Sequence, residues 1–357
     1  MISPQEQAAY EPTGYQMIRT IQIDNFRCYR HLKLEKVARL NVVVGDNGSG
    51  KTALLEAIFM PLATTSELAV RYRQQRGLDG NFSGSRRVIE DAIWGDYFYE
   101  GDYKSPIQIQ LTGDGPEARS LTITRNQFPT TASTVGLLFR NAQGKEKMLH
   151  PSFNAQGQVL LPETGEDLPN FFYFASASTT GSVEQAARFS DMSKARSHAA
   201  FVKTLVSEYR WLQDLNIEVI AGSPALFGTL DGSPNKIPLP NMSGGINKMA
   251  GIMATIASRT RSIVLVDEIE NGIYFKHQNA IWKGLLRFLR EHDAQMICTT
   301  HSKEWLEALV EAAGDKVDDI SLWRVERAKG QPTVRQFSGS ALRSGIEHGT
   351  EIRSPNE

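Results

Sequence analysis

Three short stretches of this chain carry residue types and spacings that could do phosphate chemistry. Gly45-Asp46-Asn47-Gly48-Ser49-Gly50-Lys51-Thr52 follows the apolar run 40–44. Its glycines permit a tight loop whose backbone N–H groups face anionic oxygens, and a helix N-terminus behind the loop favours the same charge. Asn47, Gly48, Ser49 and Gly50 form the cradle. Lys51 is placed to reach the β and γ phosphates, and the Thr52 hydroxyl to serve magnesium. Far downstream, Ile263-Val264-Leu265-Val266 runs directly into Asp267-Glu268. Asp267 is expected to orient Mg2+ or its water, leaving Glu268 to polarise an attacking water. Finally, Gln295-Met296-Ile297-Cys298-Thr299-Thr300 ends at His301. That placement suits a γ-phosphate sensor that also holds the water. Together these residues describe hydrolysis of ATP by positioning and charge stabilisation, with no covalent nucleophile.

Chemistry of this kind needs strands that end at one edge of a sheet, where open α/β sheets bind ligands. The run 40–44 is almost wholly apolar, as a strand covered on both faces should be. Residues 51–59 read as a helix stopped near Pro61. Residues 263–266 and 295–300 read as buried strands, with helices over 246–257, 278–290 and 305–313 and a late strand over 321–325. Ahead of the loop, Ile18, Ile21 and Ile23 mark a strand, and Leu32-Lys33-Leu34 a second.

The middle has another texture. Residues 107–111 and 121–124 alternate cleanly about the turn-forming Gly113-Asp114-Gly115-Pro116, predicting a hairpin or meander. Residues 140–170 read as loop-dominated. Phe171-Phe172-Tyr173-Phe174 is an aromatic strand whose rings are better spent in the core than as a base-stacking platform. Residues 183–215 read mainly as helix, with Phe201, Leu205, Tyr209 and Leu212 on one face. Short β elements follow over 217–221 and 226–237. Because the loop and carboxylate halves must fold together, the chain divides into 15–60 and 241–357 as two parts of one head, with 61–240 as an inserted mixed lobe.

Composition excludes several classes. Of 357 residues, 39 are basic and 40 acidic, so no global charge marks a nucleic-acid partner. Two cysteines, Cys28 and Cys298, rule out a disulfide framework and read as buried thiols. No apolar run approaches the roughly 18 residues of a membrane span, and the polar start, with Glu6 and Glu11, lacks a secretory core. No membrane partner and a cytoplasmic location are the expectation. Glu291, His292 and Asp293 read as a polar helix-to-strand connection rather than metal ligands.

These elements resemble the ABC-type ATPase superfamily, in particular the SMC-like, RecF-like and OLD-like branch. Asp24-Asn25-Phe26-Arg27-Cys28-Tyr29-Arg30 is similar to that branch's first strand-to-turn segment, and residues 263–268 match its Walker B pattern. His301 matches the switch histidine. Met242-Ser243-Gly244-Gly245 resembles the signature sequence, with methionine where leucine is common, and residues 345–353 resemble the ending of compact members. The resemblance implies an α/β P-loop NTPase fold, an ABC-type ATPase head with a large mixed α+β insertion. It also implies that Ser243, Gly244 and Gly245 of one chain complete the site around Lys51 of another, so that ATP drives head-to-tail self-association. A serine hydroxyl, two backbone amides and a helix N-terminus make independent sense as a γ-phosphate grip.

The chain departs from the wider pattern in three ways. The Q-loop glutamine has only Gln74 and Gln75 as candidates. Ile269-Glu270-Asn271-Gly272-Ile273-Tyr274 differs from the transporter D-loop. No long coiled coil or appended nuclease is read. The expected function is an ATP-driven, DNA-associated clamp or sensor in DNA repair or antiphage defence. The alternative is a nucleotide-gated module that holds a separate effector protein. Arg71, Arg73, Arg76, Arg86 and Arg87, against Asp79, give residues 71–87 a formal charge of +4 that could engage DNA phosphates or a protein face.

Overall fold

The computed structural model describes residues 17–63, 85–125, 133–153, 159–160, 170–176, 181–194, 197–328 and 330–354. The Q-loop candidates Gln74 and Gln75, most of the arginine-rich stretch and the N-terminal 16 residues lie outside the described residues. In chain order, β1 (Ile18–Phe26) and β2 (Tyr29–Leu34) form a hairpin, and β3 (Leu40–Val44) leads through the glycine loop into α1 (Lys51–Leu62). After α2 (Arg86–Trp94) come β4 (Ile107–Gly113), β5 (Arg119–Arg125), β6 (Val135–Arg140) and β7 (Glu146–Leu149). The short pair β8 (Ser152–Phe153) and β9 (Val159–Leu160) precedes β10 (Asn170–Phe174), α3 (Ser182–Lys194) and α4 (His198–Glu208). Next are β11 (Leu212–Ile220), β12 (Ser223–Leu230), β13 (Ile237–Pro238) and α5 (Gly244–Ser258). The chain closes with β14 (Ser262–Val266), α6 (Gln278–Glu291), β15 (Gln295–Thr299), α7 (Lys303–Ala313), β16 (Ile320–Ala328), β17 (Gln331–Ser338) and α8 (Gly339–Glu347).

Two six-stranded sheets enclose α1. The first has the order β10-β14-β15-β3-β16-β17, parallel throughout except for the antiparallel edge strand β17. The second is antiparallel, in the order β2-β1-β4-β5-β6-β7. The pleat sends alternate residues of the parallel strands into two cores. Val43, Ile263, Leu265 and Ile297 pack with α1 and the antiparallel sheet, whereas Val42, Val44, Val264 and Val266 pack under α5, α6 and α7. A helix between two sheets must be apolar nearly all round, and α1 buries ten of its twelve residues. Buried Gln295 ties the sheets together: its amide accepts from Ile18 N–H and donates to the Ile18 and Ala38 carbonyls, each at 2.9 Å.

The helix of the phosphate loop stops near Pro61 as expected, ending at Leu62, and a proline in its last turn removes a single intrahelical bond. The helical reading of 183–215 is corrected at its end. Leu212 opens β11 instead of closing a helix. Phe201, Leu205, Tyr209 and Leu212 still share one core, so their spacing reflects a common destination across a helix and a strand. Residues 61–240, expected as an inserted lobe, supply β4–β7, which continue the sheet begun by β1 and β2, and β10, which pairs with β14 in the parallel sheet. The aromatic strand packs as core: Phe174 is buried, Phe171 and Tyr173 meet Phe59, and Phe172 lies under Arg188.

Candidate active site

β3 is buried from Leu40 to Val44 and Gly45 with it, so the chain reaches the surface only at Asp46. At Gly50 the backbone takes φ +120°, and a Cβ there would lie 3.0 Å from both Cys28 Sγ and Tyr29 Oη. Tyr29 Oη also donates to the Gly50 carbonyl at 3.1 Å, so the β1–β2 turn braces the end of the loop. A glycine is required here by conformation and by space. Lys51 is buried, and its Nζ donates to the Gly45 and Asp46 carbonyls, each at 2.8 Å. Burial pushes the Lys51 ammonium below its ordinary pKa, opposed by the nearby carboxylates of Asp267 and Asp46.

The parallel registers Val266↔Cys298 and Thr299↔Val43 bring the carboxyl ends of β14, β15 and β3 together. Asp267, Glu268 and His301 therefore meet Asn47, Gly48, Gly50, Lys51 and Thr52 around a cleft of about 360 Å³, with Arg27, Cys28 and Ala53 completing the wall. The Thr299 hydroxyl donates to Asp267 Oδ1 at 2.6 Å and accepts the Glu268 backbone N–H at 2.7 Å. Glu268 has φ +48°, a left-handed conformation for a non-glycine residue at the cleft wall. Its carboxylate accepts from Ser176 Oγ and, at 2.5 Å, from Asn271 Nδ2. The Ser176 hydrogen bond leads in holding that carboxyl below its ordinary pKa, with Asn271 and the charge of His301 adding to it.

The surrounding backbone is gripped by three further side chains. Buried Lys248 of α5 donates to the Glu268 carbonyl at 2.6 Å and lies 3.4 Å from that of Asp267. Its pKa is lowered by burial against the pull of Glu270, Glu268 and Asp267. The His301 N–H donates to Glu270 Oε1 at 2.7 Å, and Arg353 Nη1 donates to the His301 carbonyl at 3.1 Å. The ring-bearing residue is thus fixed from both sides. Arg27 forms an ion pair with buried Glu56 and stacks over Tyr97 at 4.6 Å.

Of the residues expected from sequence, the cleft unites the loop, both carboxylates and His301. Ser49 is the exception among the expected cradle residues Asn47, Gly48, Ser49 and Gly50: its side chain is buried and does not line the cleft. Ser243, Gly244 and Gly245 do not line it either. They start α5, with Gly245 packed so tightly on the next loop that a Cβ would fall 2.1 Å from the Gly272 carbonyl oxygen. The donor set fits Mg2+, a hard cation that takes oxygen ligands. The Thr52 hydroxyl and the Asp267 carboxylate face one cleft, and Thr299 occupies only one Asp267 oxygen. Magnesium bound there would neutralise phosphate charge. Sequence reasoning missed Ser176, Lys248, Thr299 and Arg353. Only Ser176 left a usable signal, following its strand at the offset by which Glu268 follows Val266.

Strand order, phosphate loop and paired carboxylates define a P-loop NTPase. Residues 17–319 match the RecF/RecN/SMC N terminal domain family. The chain belongs to that family, and it is an ATPase. It is 24% identical over 343 residues to an ATP/GTP phosphatase of Helicobacter pylori, a match covering 84% of this chain and 89% of the relative. Shorter matches reach the DNA replication and repair protein RecF of Thermomicrobium roseum, 45% identical over 73 residues, and the DNA double-strand break repair Rad50 ATPase of Methanopyrus kandleri, 32% over 111 residues. They cover 20% and 28% of this chain but only 18% and 12% of those relatives. In fold, the chain is similar to an SMC head bound to the C-winged helix domain of ScpA, with TM-score 0.53, 13% identity and coverage of 90% and 98% of the two chains. The ABC-type head expected from the signature and Walker motifs is therefore the fold observed.

Proposed function

We propose that this ATPase works as a head that closes on a second copy of itself around two shared nucleotide sites. The observation carrying the proposal is a division of labour within one chain. Lys51, Thr52, Asp267, Glu268 and His301 converge on one cleft, while Ser243-Gly244-Gly245 starts a helix outside it. Lys51 binds the β and γ phosphates, and Thr52 and Asp267 hold Mg2+. Glu268 acts as base toward water, and His301 senses the γ phosphate and positions that water. The Ser243 hydroxyl and the amides of Gly244 and Gly245 close the site of the partner copy.

The output of this cycle is a clamp or sensor on DNA, a reading supported by the repair proteins among the relatives. Antiphage defence rests on sequence resemblance alone. A nucleotide-gated module holding a separate effector protein is the second reading, favoured by the fold's likeness to an SMC head bound to a ScpA domain. Anisotropy titrations with labelled duplex across salt concentration separate the two: a clamp binds DNA with ATP present and loses affinity steeply with salt.

The shared-site arrangement is tested by mixing two variants. Ser243→Arg should leave initial ATP binding intact and impair association and hydrolysis. Lys51→Ala should weaken binding and remove most turnover. A mixed pair carries both lesions at one composite site and neither at the other, so mixing should recover part of the activity. Turnover independent of protein concentration, with every species monomeric in ATP, would rule the arrangement out.

A further inference from the structure

We propose that Ser176 is a positioning residue for hydrolysis, its hydroxyl and the Asn271 amide together fixing the Glu268 carboxylate so that one oxygen is tethered and the other faces the attacking water. This inference rests on the reading of Glu268 as the base.

The placement follows from strand register. β10 lies beside β14 in parallel, with Phe174 opposite Val266, and the pairing runs on as Asp267 N–H donates to the Phe174 carbonyl at 2.8 Å. Ser176 stands two residues beyond Phe174, and Glu268 two residues beyond Val266. The two side chains leave adjacent strands at the same level. Ser176 Oγ donates to Glu268 Oε2, while Asn271 Nδ2 donates to that same Oε2 at 2.5 Å and to Ser176 Oγ at 3.0 Å. Serine, amide and carboxylate form a closed triangle. Both bonds converge on Oε2, and Oε1 carries neither.

A glutamate at a cleft has three rotatable bonds, and leaving them free costs orientation at the moment of attack. Hydrogen bonds to an ionised acceptor are the stronger kind, and two on one oxygen select a rotamer. Ser176 does not line the cleft, so it acts on the reaction only through Glu268. Asn271 links this tether to the next loop, one residue before the Gly272 carbonyl that packs on Gly245. The orientation of the base is therefore tied mechanically to the start of α5.

Steady-state ATP hydrolysis by the full-length protein tests this. Ser176→Ala should lower kcat about tenfold, the scale of one lost charge-assisted hydrogen bond. KM for ATP and the thermal midpoint should stay at wild-type values. Ser176→Thr, which keeps the hydroxyl, should restore most of the rate. Asn271→Ala should lower kcat as well, and the double variant should lose less than the product of the single losses, because both donors serve one oxygen. Wild-type kcat in Ser176→Ala, measured where Glu268→Gln is inactive, would overturn the positioning role and leave the base assignment standing. Wild-type turnover in Glu268→Gln would instead remove the base assignment and this proposal with it. Parallel losses of kcat, ATP affinity and thermal midpoint in Ser176→Ala that threonine does not restore would identify a merely structural serine.

Discussion

Thr299 organises more of the site than its size suggests. One hydroxyl donates to Asp267 and accepts from the Glu268 backbone, so it sets the carboxylate expected to serve magnesium and the peptide that carries the proposed base. Thr299→Val keeps the shape, removes the hydroxyl and leaves a partly buried N–H without its acceptor. We expect stability to fall by about 1–3 kcal/mol, read as a lower urea midpoint, with hydrolysis reduced further than ATP binding. Unchanged kcat in this variant would show that Asp267 and Glu268 hold their places without it. At this scale the candidate site was legible in the sequence wherever its residues are local to one loop or strand end. Lys51 and Thr52 follow their glycines in the chain, and Asp267 and Glu268 follow their strand. Lys248 and Arg353 were illegible because each reaches the site through long-range packing, and the offset of Ser176 after its strand gains meaning only once β10 is known to pair with β14.

Among the elements, the start of α5 and the loop after Glu268 are packed backbone to backbone. The cause is the missing side chain at Gly245: a Cβ there would overlap the Gly272 carbonyl, whereas one at Gly244 would meet nothing within 4 Å. Adjacent glycines therefore make a matched pair of tests. Gly245→Ala should push helix and loop apart, lowering both the thermal midpoint and kcat, because that loop also carries Asn271 and Glu270. Gly244→Ala should leave the midpoint near wild type. Equal effects at the two positions would mean the close packing has no bearing on the site. The C-terminal tail offers a second test by pH. Arg353 holds the Glu351 carboxyl down to about 2, first by their hydrogen bonds, and the same arginine grips the His301 carbonyl. A lowered carboxyl contributes stability that is full above its unfolded pKa and is lost as pH falls toward its folded one. The difference in urea midpoint between wild type and Arg353→Ala should therefore shrink across acid pH as about 2 is approached. A difference that is constant with pH would place the tail's contribution elsewhere. The parallel strands could be anticipated from their apolar runs, since both faces are covered. The partnership of β4–β7 with β1 could not, since alternation reveals that a strand has two faces and not which strand it joins.

At the scale of the whole molecule, the cleft holds the groups proposed to bind and cut ATP while the α5 start lies outside it, and that split governs how the protein should respond to a stalled reaction. Glu268→Gln keeps the side chain's shape and its capacity to accept from Ser176, but removes the carboxylate proposed to draw a proton from water. ATP should still bind through Lys51, whose Nζ lies in the loop and owes nothing to Glu268 by hydrogen bond. If nucleotide bridges two copies, a site that binds without cutting should accumulate the bridged state. We expect Glu268→Gln to sediment as a dimer with ATP and as a monomer with ADP, while wild type passes through the dimer only transiently. Adding Ser243→Arg to Glu268→Gln should return the protein to monomer without releasing ATP. A Glu268→Gln protein that binds ATP and remains monomeric at every concentration would confine hydrolysis to one chain. The start of α5 would then be an internal packing element, held against Gly272 for stability alone.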